Sequence, residues 1–111
     1  MERYVRISAE AVGPQNYRQL HFDVLLNEGE RVADDEAIFG LQGSTNAKTR
    51  DCSPFVLFHD GQIDYGNVDT STDVATMDVR SNPLKIGTVL ELNYNGQSQP
   101  YRITHIVERG I

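Results

Sequence analysis

Residues 82–106 read NPLKIGTVLELNYNGQSQPYRITHI, and no other stretch limits the fold as tightly. Side chains of an extended strand alternate between two faces, so Leu90, Leu92 and Tyr94 share one side. Asn95-Gly96 supplies the two residues that best tolerate positive φ, which a two-residue hairpin turn demands. Tyr101 and Ile103 lead the return strand on the same face. Upstream, Leu84 fits beneath the sheet and Gly87 permits a tight entry into the first strand. Two amphipathic strands with one apolar face need further sheet to cover them, so the rest of the chain has to supply it.

It does so in short runs. RYVRIS (3–8) turns Val5 and Ile7 inward, and Gly13-Pro14-Gln15-Asn16 breaks the strand. LHFDVLLN sets Leu20, Phe22, Val24 and Leu26 on one face, opposite His21 and Asp23, and Asn27-Glu28-Gly29-Glu30 turns. ADDEAIFG (33–40) is the one candidate helix, with acids in its first turn and Gly40 as its C′ residue, or else a loop. GSTNAKTRDCS (43–53) is an exposed polar loop. PFVLF is a strand, Asp60-Gly61 a hairpin turn and QIDY the return, followed by a polar loop at 66–73. VATMDVR places Ala75, Met77 and Val79 opposite Thr76, Asp78 and Arg80. The expectation is a single all-β domain over 1–111: a small, mostly antiparallel, partly open barrel of about seven short strands with at most one short helix.

A chain of 111 residues is long enough to bury a core without staples, and its single cysteine, Cys52, excludes an internal disulfide. No apolar run is long enough to span a membrane as a helix, and MERYVRIS lacks the apolar core of a secretory signal. The expected location is a cytoplasm, or a virion assembled in one. The net charge of −6 is unevenly spread: +1 over residues 1–20, −9 over 21–78 and +2 over 79–111. The acidic middle repels phosphate backbones, which argues against nucleic acid and for a protein partner. It also lets one face of the chain complement another.

Catalytic signatures are missing. Cys52 has His21, His59 and His105 as conceivable activators, but no nucleophile elbow and no helix N-terminus to lower its pKa. The histidines stand at no metal-ligand spacing, so a structural role is expected for each. His105 is in phase with Tyr101 and Ile103, which would bury it. The adjacent pair Ile106-Val107 equally suits a bulge near Thr104-His105 that would turn it outward. Asp69-Thr70-Ser71-Thr72-Asp73 begins like a calcium loop but has Val74 and Arg80 where that loop needs Gly and Glu. No phosphate-binding glycine motif occurs. The expectation is a non-enzymatic protein without cofactor or metal.

The order VATMDVRS, Asn82-Pro83-Leu84-Lys85-Ile86-Gly87, a strand from Thr88 to Tyr94, Asn95-Gly96-Gln97 and Pro100-Tyr101-Arg102-Ile103-Thr104-His105-Ile106 resembles the C-terminal half of small bacteriophage head–tail joining proteins. The likeness covers about residues 74–109 and implies a compact barrel that packs into a ring at the capsid portal. The expected role is therefore structural, in a homo-oligomeric ring. The alternative is a small acidic binding module, of inhibitor or immunity type, for a basic protein. Candidate contact residues are Asp34, Asp35 and Glu36 in the acidic middle, with Lys48, Arg50, Asp69 and Asp73 on the two polar loops.

Overall fold

The computed structural model describes residues 2–14, 18–33, 37–44, 52–66 and 75–109. They form eight strands: β1 (Arg3–Ala11), β2 (Arg18–Leu26), β3 (Ile38–Ser44), β4 (Cys52–Leu57), β5 (Ile63–Asp64), β6 (Ala75–Met77), β7 (Val89–Tyr94) and β8 (Gln97–Glu108). The only helical element among the described residues is a single 3-10 turn, Val79–Ser81. All neighbours pair antiparallel in one sheet, in the order β5-β4-β3-β2-β1-β8-β7-β6. The two ends of that order nearly close on each other. A bridge joins Gln62 to Thr76, and the Met77 amide donates to the Gly61 carbonyl at 2.9 Å. The fold is thus the expected all-β barrel, with one strand more than expected.

The period-two pattern explains the core. Val5, Ile7 and Ala9 of β1 and Leu20, Phe22, Val24 and Leu26 of β2 are all buried, interleaved with outward polar residues. Leu84, Leu90, Leu92, Tyr101 and Ile103 join them, each buried as their sequence phase indicates. Asn95 (φ 51°) and Gly96 (φ 86°) both sit in the left-handed region, as the hairpin turn between β7 and β8 requires. Tyr94 departs from expectation. It lies at the barrel's end, 42% exposed, and its ring meets Tyr65 edge-on at 6.2 Å.

The extra strand is β3, which replaces the C-terminal half of the candidate helix; residues 34–36 of that segment lie outside the described residues. Gly40 is not a helix cap but a point of close approach. A Cβ there would stand 2.5 Å from the His21 carbonyl oxygen and 2.5 Å from the Phe55 ring. Glycine lets Phe55 fold across β3 into the core, and that packing fixes the strand. Cys52, expected in a loop, opens β4 opposite Gly43 and is exposed. β3 and β4 thus take in the two ends of the expected loop 43–53, and residues 45–51 lie outside the described residues.

Candidate functional site

Three features of the described surface carry chemistry or contact potential. The first is a cleft of ≈ 330 Å³ beside the barrel seam, floored by Thr76 of β6 and by Glu91 and Asn93 of β7. The β4–β5 turn (His59, Asp60 and Gly61) forms one wall. Asp78, Arg80 and Ser81 close another. Its carboxylates are oriented by neutral donors: Asp60 accepts from the Gln62 amide (3.0 Å), Asp78 from the Glu91 amide (2.8 Å), and Glu91 from the Ser98 hydroxyl. Arg80 donates to the Phe58 carbonyl at 2.7 Å, tying the 3-10 turn to the β4–β5 hairpin across the seam. Three acids against one guanidinium give the cleft lining a net negative formal charge. No cluster of metal-ligating side chains exists among the described residues.

The second feature is a polar row across the outer face. Register aligns His105 of β8 with Ser8 of β1, and Ser8 with His21 of β2. Ser8 Oγ and His21 Nδ1 share a 2.9 Å hydrogen bond. Partial burial, seconded by the Arg6 charge, lowers the His21 pKa below its usual value. A hydroxyl bonded to a neutral imidazole is the beginning of a nucleophile–base pair. It stands mid-sheet, where backbone amides are spent on the strand ladder and cannot serve as an oxyanion hole. The pair therefore functions as a cross-strand tie. The pairing shifts register between Ser8 and Ala9, leaving Thr104 as a bulge, and His105 turns outward. Next to this row, Arg6 grips Asp23 with two bonds of 2.8 and 3.0 Å, which hold the Asp23 carboxyl below its ordinary pKa.

The third feature is apolar. Across β3 and β4, Phe39 pairs with Val56 and Leu41 with Pro54. All four side chains point away from the core, because the inward phase belongs to Ile38, Gly40, Phe55 and Leu57. Phe39 is 67% exposed, Leu41 is 44% exposed, and Phe58 extends the column past the end of β4. Burial works in the reverse sense on the inner side of β3. There Gln42 faces the barrel's end and accepts the Tyr65 hydroxyl at 2.7 Å. Burial raises the pKa of that phenol to about 12. Ile86 ahead of β7, Val89 at the start of β7 and Val107 near the end of β8 are exposed as well.

The sequence-derived contact residues Asp34, Asp35, Glu36, Lys48, Arg50, Asp69 and Asp73 all lie outside the described residues. The β3–β4 block was not anticipated from the sequence, since a segment assigned to helix and loop gave no phase from which to place Phe39 and Leu41 outside. The cleft was equally hidden, because it depends on the seam between β5 and β6. Among the described residues no helix is long and apolar enough to cross a membrane. Compared with protein-family models, curated proteins and solved structures, the chain gives no match.

Proposed function

We propose that this protein is a non-enzymatic assembly component that packs against copies of itself, in a ring of the kind found in phage necks. The observation that carries this reading is the inverted pattern of β3. Its two largest side chains next to the core-facing Ile38, Phe39 and Leu41, are presented to solvent with Pro54 and Val56 beside them. A contiguous apolar block on a small protein's wall is costly to solubility and usually marks a surface that another macromolecule covers. The likeness of residues 74–109 to head–tail joining proteins supports the same reading. Light scattering over a concentration series tests it. Mass should rise with concentration well above that of the 12.5 kDa chain. A monomer at high concentration in both low and high salt contradicts it.

The acidic cleft favours a second reading, a binding module for a basic protein. In that case Asp78→Asn combined with Glu91→Gln should weaken capture of a Lys/Arg-rich partner. Self-association should be unaffected.

A further inference from the structure

The two shortest strands stand at the two ends of the sheet. β5 has two residues and β6 three, and they meet at the seam through the Gln62–Thr76 bridge. Beside it the Met77 amide donates to the Gly61 carbonyl at 2.9 Å, and Arg80 Nη1 donates to the Phe58 carbonyl at 2.7 Å. The β1–β2 ladder, by contrast, runs unbroken from Arg3–Leu26 to Glu10–Gln19. Segments held by few hydrogen bonds open at a fraction of the free energy of global unfolding.

The two sides of the seam are not equally anchored. On the β6 side, Asp78 accepts from the Glu91 amide of β7, Arg31 donates to the Ser81 carbonyl, and the Leu84 amide donates to the Glu30 carbonyl. Met77, Val79 and Leu84 are buried there. On the other side Phe58, His59, Asp60 and Gln62 are exposed, and of residues 58–63 only Ile63 packs against the core. The remaining bonds of this hairpin tip are internal to it. The Phe58 amide donates to the Gln62 carbonyl, the Gly61 amide to the Phe58 carbonyl and the Gln62 amide to Asp60, so the tip can move as one piece. Its pivots are fixed: Leu57 is fully buried, and Tyr65 is held by the Phe55 ring and by Gln42.

We infer that residues 58–63 form a flap that opens the barrel at its seam, with Arg80 as its latch. The inference is independent of the assembly reading. When the flap lifts, the Met77 amide parts from the Gly61 carbonyl, and the Met77 and Ile63 side chains meet water. His59, Asp60 and Gly61 form one wall of the cleft, and Asp78, Arg80 and Ser81 another, so the same motion widens the cleft. Access to it is set by one guanidinium bond across the seam, whose charged donor makes it stronger than the neutral bonds beside it.

Hydrogen exchange of individual backbone amides, followed by NMR at low denaturant concentrations, tests this. Protection of the Met77 amide should be at least about 100-fold below that of the β1–β2 ladder, and denaturant should barely change it. Arg80→Gln should speed Met77 exchange about 10-fold, the effect of losing a hydrogen bond from a charged donor. If that variant does not fold, Arg80→Lys takes its place, with a rise of about three-fold. Ile7→Val, in the fully buried part of β1, weakens packing that survives when the flap lifts. It should speed exchange of the β1–β2 ladder about five-fold and leave Met77 unchanged. A Met77 amide that follows the β1–β2 ladder, in denaturant and in Ile7→Val, overturns the flap. Unchanged Met77 exchange in the Arg80 variant overturns the latch.

Discussion

The β3–β4 pair and the β7–β8 pair lie half a barrel apart and are built on different principles. β7 and β8 are joined by Asn95-Gly96, whose positive φ values set the register locally, and their buried residues, Leu90, Leu92, Tyr101 and Ile103, are all apolar. β3 has no such local instruction. Its inward face reads Ile38, Gly40 and Gln42, and its outward face Phe39 and Leu41. What holds it is distant in sequence: Phe55 lies over Gly40, and Tyr65 bonds Gln42. One pair is specified by its own turn, the other by what packs on it, and the second is the one that gives up its large side chains to solvent.

The sharpest break of that contrast is Gly40→Ala. A methyl group directed at the His21 carbonyl, which cannot swing aside as a side chain does, should cost about 3 kcal/mol. Chemical denaturation would show it as a lowered midpoint with an unchanged slope. Gly96→Ala strains one turn residue at φ 86° and leaves the core intact, so it should cost only about 1 kcal/mol. Comparable losses at the two glycines would mean that β3 is not held by its packing in the way described.

The polar row between the two pairs sets a smaller, pH-dependent effect. Burial lowers the folded-state pKa of His21 below its ordinary value of 6.5, so the unfolded chain takes up the proton first. The stabilisation due to neutral His21 is complete above pH 6.5 and is lost as pH falls from there through the lowered value. His21→Asn should flatten the unfolding free energy over that window. The Asp23 contribution begins to fall away only at more acidic pH, below its ordinary 3.8. Smallest of all, Cys52→Ser at the exposed start of β4 should change stability by less than about 0.5 kcal/mol. A larger loss would give that thiol a role not ascribed to it.

The same contrast accounts for what could be read from the chain. The β7–β8 hairpin, the strand phases of β1 and β2, and the Asp60-Gly61 turn were legible because period and turn chemistry lie within a few residues. The alternative outward setting of His105 was also visible, because Ile106-Val107 breaks the alternation. β3 was illegible because its hydrophobic pattern is turned inside out, and acids just before Ile38 imitate a helix start. The candidate surface went unread for that reason, and the cleft because it forms only where the sheet's two ends meet.

Native Cys52 allows the central claim to be tested directly. Its side chain lies on the outward phase of β4 with Pro54 and Val56, whereas Arg102 is exposed on β8. The variant Arg102→Cys therefore carries a second thiol four strands round the barrel from β4, and a short bis-maleimide can link thiols of neighbouring copies. Treated with that reagent, it should yield a ladder of dimers, trimers and larger covalent species, while the wild type, with one thiol, stops at dimers. A product that remains monomeric for Arg102→Cys would contradict the reading of a chain that packs against copies of itself.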